Sequence, residues 1–270
     1  MDMSFEQLFE IDQILSAKGW SKLRNNKGEP VENLTFALFE RLEDNDEFNL
    51  LKILIDKYFL CMDYDSYCFE IARNIEAAFY GEKIVIIPVS DDRGKIKSGH
   101  AIGYDLTRFL EEGRFSEMLV QESLDAIKHR LDEFSVIVVD DFVGSGSQFK
   151  AFSRRCSATY GLSPSNVYLY SIVMMSKARE RIGEHCYSAV PLFEFSPALS
   201  MLSHSSSELD PIAVYQRIEA RASVGRTYRR GYLKSEALVT MKKTPNNTLP
   251  IFWCKNDISG GPWPAIFPRG

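Results

Sequence analysis

The segment Ser135 to Phe149, SVIVVDDFVGSGSQF, restricts the fold of this chain more than any other. Val136, Ile137, Val138 and Val139 form an unbroken β-branched run, the pattern of a strand buried on both faces of a parallel sheet. Asp140 and Asp141 close the run, so they fall at the carboxyl end of the strand, where open α/β sheets bind their ligands. Behind them Gly144, Ser145, Gly146 and Ser147 offer a backbone that can curl, free amides and two hydroxyls. The residues from Gln148 to Cys156 then read as the start of a helix, and a loop before a helix N-terminus is a natural phosphate cradle. Paired carboxylates suit a diol, and the loop suits a phosphate; a phosphorylated ribose carries both. Two other readings compete with this one. A buried strand ending in Asp-Asp also occurs in Walker B elements, but the G-x-x-x-x-G-K-[ST] loop that should accompany it is missing from the sequence. An ordinary strand-to-helix turn is the second.

The order of strand, acid pair and loop resembles the ribose-phosphate signature of type I phosphoribosyltransferases. In that family the acidic pair contacts the ribose hydroxyls and the following loop holds the 5′-phosphate. The resemblance puts Asp140 and Asp141 in the place of the acidic pair, and Ser145 and Gly146 in that of the central Thr-Gly. Phe142, Val143, Gly144, Ser147 and Gln148 complete the implied ligand-binding segment. Two positions depart from the pattern. Gly144 stands where the family often has threonine, and Gln148 where a further Thr or Ser closes the phosphate site, so each departure removes a hydroxyl.

A second apolar strand, Lys83 to Pro88, runs into a polar loop and then a helix predicted over Ser98 to Glu112, with Leu106, Phe109 and Leu110 at helical spacing. The loop carries Ser90, Asp91, Asp92, Arg93, Gly94, Lys95, Lys97 and Ser98. By position it resembles the pyrophosphate loop of the same family, in which backbone amides together with Arg93, Lys95 and Lys97 would neutralise a diphosphate. Read from its residues alone, the segment fits a solvated loop of mixed charge equally well.

The remaining sequence bounds the class. With 270 residues, 45% of them hydrophobic, the chain can bury one large core or two small ones. No apolar stretch approaches a transmembrane span, and the acidic amino terminus is unlike a secretory signal, so a soluble, cytoplasmic protein with no membrane partner is expected. Five cysteines without a C-x-x-C pair suggest reduced, mostly buried thiols, and four scattered histidines lack metal-ligand spacing. A formal charge of −5 argues against a protein that coats nucleic acid. One local exception is Arg217 to Lys234, which interleaves Arg217, Arg221, Arg226, Arg229, Arg230 and Lys234 with Tyr228 and Tyr232. It reads either as a phosphate or base contact or, more commonly, as a basic face paired with the acidic remainder.

Apolar spacing predicts helices over Phe5 to Ala17, Leu34 to Glu43, Glu47 to Phe59 and Ser66 to Tyr80. After them come strand Lys83 to Pro88, helices from Ser98 and over Ser116 to Phe134, strand Val136 to Asp140, helix Gln148 to Tyr160, strand Val167 to Met175 and a short strand over Ala189 to Phe195. The expected architecture is α/β: a mostly parallel central sheet with flanking helices, of the type I phosphoribosyltransferase kind. A helical region over residues 1–80 is expected to pack on a core over 81–200, followed by a hood over 201–270. In its tail from Thr244 to Gly270 five prolines fix the backbone while Phe252, Trp253, Trp263 and Phe267 need burial, which predicts a rigid lid. This tail, with the helical start, resembles a divergent bacterial group of phosphoribosyltransferase-like proteins, some encoded beside conflict and phage-defence genes such as retrons.

The resemblance implies a Mg²⁺-dependent transferase or hydrolase acting at the anomeric carbon of phosphoribosyl diphosphate or a related nucleotide. Asp140 and Asp141 would hold the ribose hydroxyls and orient the Mg²⁺ ion, while Arg93 and Lys95 would stabilise the departing pyrophosphate. The alternative is a catalytically inactive nucleotide sensor or docking module for a protein or nucleic-acid partner from a defence operon. The hydroxyls absent at Gly144 and Gln148 favour the alternative.

Overall fold

The computed structural model describes residues 3–89, 98–205 and 210–269, with backbone alone for 98–101 and 205. Met1–Cys61 together with Ser196–Gly270 form one compact unit, and Met62–Phe195 form a second. The boundaries thus fall at 61/62 and 195/196, whereas the sequence divided the chain at 80/81 and 200/201.

The first unit begins with helices α1 (Phe5–Ala17), α2 (Val31–Glu40) and α3 (Asn45–Asp56) and the short strand β1 (Phe59–Leu60). Local chemistry sets the starts. The Ser4 hydroxyl accepts from the Gln7 amide (3.2 Å) while the Gln7 side chain accepts from the Ser4 amide (3.0 Å), and Asp44 caps α3 through the Glu47 amide (2.9 Å).

The second unit runs α4 (Tyr64–Ala78), β2 (Lys83–Pro88), α5 (Ser98–Thr107), β3 (Glu117–Val120), β4 (Ser135–Val143), α6 (Ser147–Tyr160), β5 (Val167–Met175), α7 (Ser176–Ile182) and β6 (Ser188–Phe195). Its five strands are all parallel in the order β3-β2-β4-β5-β6, so β4 lies at the centre. Val136 to Val139 are fully buried, as two-sided coverage requires. Helices α4 and α5 pack against each other and onto β2, β4 and β5, while α6 packs on α7, which lies on β5 and β6. The chain leaves β2 toward β3 and leaves β4 toward β5, so the strand order reverses between β2 and β4. Right-handed crossovers then put α5 and α6 on opposite faces. The protein is a mixed α/β structure built on a five-stranded parallel sheet flanked by helices.

One sequence expectation fails here. The helix expected over Ser116 to Phe134 is replaced by edge strand β3 and two 3-10 turns, Asp125–Ile127 and Leu131–Glu133. Backbone pairing of Glu117–Val120 with Lys83–Ile86 overrides the local helical spacing, a contact no window of neighbouring residues can reveal. Charges cover this edge: Arg130 pairs with Glu117 (2.7 Å) and Glu133 (3.1 Å), and Lys83 with Glu133 (2.5 Å). Helix α7, absent from the expected elements, follows β5 without a break.

The chain returns to the first unit with α8 (Ala198–Ser205), α9 (Pro211–Arg221) and strand β7 (Val239–Thr240), which pairs in parallel with β1. The proline- and aromatic-rich tail is buried in this unit's own core. Trp20, Tyr58, Phe252 and Phe267 meet at ring separations of 4.9–5.7 Å. Trp263 donates its indole N–H to the Ile251 carbonyl (2.9 Å), satisfying the one polar atom of a buried ring. All five cysteines are free thiols, four of them buried. Among the described residues no helix is long and apolar enough to cross a membrane.

Candidate functional site

Strand β4 carries the acid pair. Asp140 is 7% and Asp141 3% exposed, and the strand continues past them: Phe142 pairs with Val173 and Val143 with Met174 of β5. Phe142 and Val143, assigned to the ligand loop from sequence, therefore belong to the sheet; Val143 is buried and Phe142 half-buried. Their alternation suits a ladder between covered faces, which is why the strand outlasts the aspartates.

Burial holds the Asp140 carboxyl well above the ordinary carboxylate range, and the neighbouring Asp141 pushes it further in the same direction by charge repulsion and by a hydrogen bond between the two side chains. Asp140 thus holds its proton more tightly than an exposed aspartate does. Opposite Asp140 in the register lies Ser171 of β5, fully buried, whose hydroxyl has no partner among the described residues. In-register residues of adjacent strands share a face, so a buried acid and an orphaned hydroxyl stand side by side.

The turn into α6 is built by Gly146, whose φ of +72° is left-handed and which serves as the helix N-cap. A Cβ at this position would lie 2.8 Å from Ile182 Cγ2 and 3.2 Å from the Ala178 carbonyl oxygen. Glycine is thus required twice, by backbone conformation and by the close approach of α7. A side chain introduced at 146 would meet α7.

No side chain caps α6. The Ser147 amide donates loosely to Ser145 Oγ (3.4 Å), and Ser145 Oγ donates to Ser147 Oγ (3.2 Å). Arg181 of α7 donates to the Ser145 carbonyl (2.7 Å) and reaches Ser147 Oγ (3.4 Å), so a cation braces the loop. Gly144 is buried and Gln148 exposed on the first turn. Uncapped first-turn amides, two hydroxyls and an adjacent guanidinium are the chemistry of an anion site.

Sequence reading missed Arg181 and Ser171. The charged run from Lys177 to Arg181 directly after an apolar strand was a legible helix signal; Ser171 carried none, because only the β4–β5 register pairs it with Asp140. Of the second loop, Ser90, Asp91, Asp92, Arg93, Gly94, Lys95 and Lys97 lie outside the described residues, and of Ser98 only the backbone is described, as the first residue of α5. The strands before the two loops are neighbours: the Val89 amide donates to the Val139 carbonyl (3.1 Å).

Among the described residues no group of three or more His, Cys, Asp or Glu is arranged to hold a metal. Asp140 and Asp141 nonetheless fit Mg²⁺, a hard ion that takes one or two carboxylates and completes its shell with water and substrate oxygens. The repulsion that raises Asp140 is what a cation would relieve.

Fold and site together define a phosphoribosyltransferase-like protein: parallel strands with a reversal of order, an acid pair on the central one, and a glycine-capped helix directly behind it. The PRTase-CE family model matches residues 39–269, and the chain belongs to that family. No curated protein matches it. Solved structures that it resembles include a hypothetical protein from Neisseria gonorrhoeae crystallised with bound ppGpp, at 16% identity and a TM-score of 0.35, covering 60% of this chain and 95% of that one. Another is the xanthine-guanine-hypoxanthine phosphoribosyltransferase of Helicobacter pylori, at 13% identity and a TM-score of 0.31, covering 56% and 99% respectively. At such TM-scores neither likeness bears on ligand or reaction.

Proposed function

We propose that the protein binds phosphoribosyl diphosphate or a related nucleotide, together with Mg²⁺, at the carboxyl end of β4, and transfers or hydrolyses at the anomeric carbon. The observation that carries this reading is the buried Asp140–Asp141 pair on the central strand, followed by an uncapped helix behind Gly146. Membership of the PRTase-CE family supports it.

In this reading the acid pair accepts hydrogen bonds from the ribose hydroxyls, and the first-turn amides of α6 with Ser145, Ser147 and Arg181 hold the 5′-phosphate. Mg²⁺, when bound, supplies positive charge against the diphosphate. The bond from the anomeric carbon to the diphosphate oxygen breaks, and pyrophosphate leaves with the electron pair. A nitrogen nucleophile or water then bonds to that carbon and loses a proton. Positioning and electrostatics do most of the work, and Arg93, Lys95 and Lys97 would face the departing charge. A cytoplasmic defence role with a protein or nucleic-acid partner from the same locus belongs to this proposal.

A second reading, ligand binding without turnover, is favoured by Gly144 and Gln148, which leave the loop two hydroxyls short of the family pattern. Titration calorimetry with phosphoribosyl diphosphate and Mg²⁺ tests the site. The folded Asp140→Asn/Asp141→Asn variant is expected to bind at least about tenfold more weakly, one charge-assisted bond being worth roughly 1.5–3 kcal/mol; equal affinity overturns the assignment. Release of pyrophosphate or free base from a panel of phosphoribosyl compounds separates enzyme from binding module.

A further inference from the structure

The basic run Arg217 to Lys234 divides in two. Its first half is neutralised: Arg217 pairs with Asp44 (2.7 Å), and Arg221 with Glu43 (3.0 Å) and Glu47 (2.5 Å). In the second half Arg230 pairs with Glu236, whereas Arg226, Arg229 and Lys234 form no ion pair among the described residues. These three are exposed, and all three line one cavity of about 640 Å³ together with Gln216, Glu219 and Leu233. That volume lies in the range of small-molecule sites.

The wall is built at a conformational cost. Arg230, Leu233, Lys234 and Glu236 all have left-handed backbones, with φ between 50° and 58°. Surrounding bonds hold them there: Glu219 accepts from the Arg230 amide (2.8 Å), the Glu236 amide donates to the Arg230 carbonyl (3.0 Å), and Tyr232 donates its amide to Asn246 (2.9 Å). Buried Glu236 also accepts from the Ser200 amide (2.7 Å). Next to the cavity the Arg230 Nε–H is buried without a partner among the described residues.

The interleaved tyrosines do not line the cavity. Tyr228 packs edge-on against Trp253 (6.0 Å), Tyr232 lies beside Tyr228 (6.4 Å), and Arg269 sits over Tyr228 and Trp253 (5.6 and 5.2 Å). Cations without an aromatic platform suit phosphate recognition and not the base stacking of single-stranded nucleic acid. The one acid in the wall, Glu219, is 5% exposed and can offset only one of the three cations Arg226, Arg229 and Lys234, so the cavity's net charge is positive.

We propose that this cavity is a second anion site, distinct from the acid pair of β4, that takes the di- or triphosphate group of a small ligand. The group can come from a linear polyphosphate or from a nucleoside triphosphate.

The test uses the full chain alongside a second protein carrying Arg181→Gln, which removes the cation bracing the proposed phosphate loop before α6, so that anion binding at that loop is separable from anion binding in this cavity. Tripolyphosphate is expected to bind both proteins, more weakly as salt rises, and ATP to bind at least as well, while adenosine does not. Arg226→Gln/Arg229→Gln/Lys234→Asn should weaken tripolyphosphate at least tenfold; asparagine is chosen because it tolerates the left-handed backbone at 234. If the triple variant does not fold, Arg229→Gln alone is expected to weaken binding several-fold. Unchanged affinity in a folded variant overturns the site, as does absence of tripolyphosphate binding. A short oligothymidylate that binds where tripolyphosphate does not overturns the small-ligand assignment.

Discussion

The acid pair on β4 and the basic arm of residues 226–236 are built on opposite plans. Asp140 and Asp141 sit on regular backbone at the centre of a parallel sheet, buried and repelling one another, with the strain carried by charge. In the arm the cations Arg226, Arg229 and Lys234 are exposed and the strain lies in the backbone, four residues other than glycine being held left-handed. Both arrangements are unfavourable for a chain that only needs to fold, and each offers a ligand something an unstrained surface does not: groups fixed in advance and incompletely satisfied. Where a protein stores its strain tells which term a ligand would relieve.

Glycine substitutions give the sharpest contrast. A Cβ at Gly231 would lie 2.1 Å from the Asn247 carbonyl oxygen, a backbone atom that cannot step aside, whereas at Gly146 the nearest atom is the Ile182 methyl at 2.8 Å. Both glycines are left-handed, at φ +80° and +72°. Gly231→Ala is therefore expected to cost about 3–5 kcal/mol and Gly146→Ala about 1–3 kcal/mol in urea denaturation. Equal losses would mean that conformation alone, and not close approach, sets the requirement.

Removing charge strain should stabilise. The folded state binds the Asp140 proton more tightly than the unfolded chain does, so this group's contribution to stability is fully present below the ordinary aspartate range and is lost as pH rises through the folded-state value. Asp140→Asn is accordingly expected to raise Tm by about 2–4 °C per kcal/mol gained when measured near pH ~8, and to have little effect at about pH 4. A fall in Tm at the higher pH would show that the acid serves the fold, and the comparison with the arm would fail.

The smallest effect tests backbone strain. Leu233 is 49% exposed with φ +54°, so Leu233→Gly loses little packing and relieves the left-handed conformation. A gain of about 0.5–1 kcal/mol is expected after the extra freedom of glycine in the unfolded chain is counted. A loss would show that the leucine packs into the cavity wall.

Much of the second unit was legible from local pattern. Strand Lys83–Pro88 and strand Val167–Met175 have the bounds that the sequence pattern predicts, and the turn into α6 follows from Gly146 and the serines around it. The same holds for α1, fixed at Ser4 by a capping box within the first helical turn. These features rest on interactions between residues a few positions apart, so the sequence displays them.

What failed or stayed hidden depends on partners far along the chain. Edge strand β3 exists because Glu117–Val120 finds Lys83–Ile86, not because its residues resist a helix. The tail closes on Trp20 and Tyr58 from the opposite end of the chain. The composition of the run Arg217–Lys234 is plain in the sequence, but which of its cations are free was decided by ion pairs to Asp44 and Glu47, 173 and 174 positions away. Periodicity and capping are written into neighbouring residues, and they determined strands β2 and β5, the start of α1 and the order of acid pair and loop. Charge neutralisation, register and close approach belong to pairs of distant residues, and only the tertiary structure could decide them.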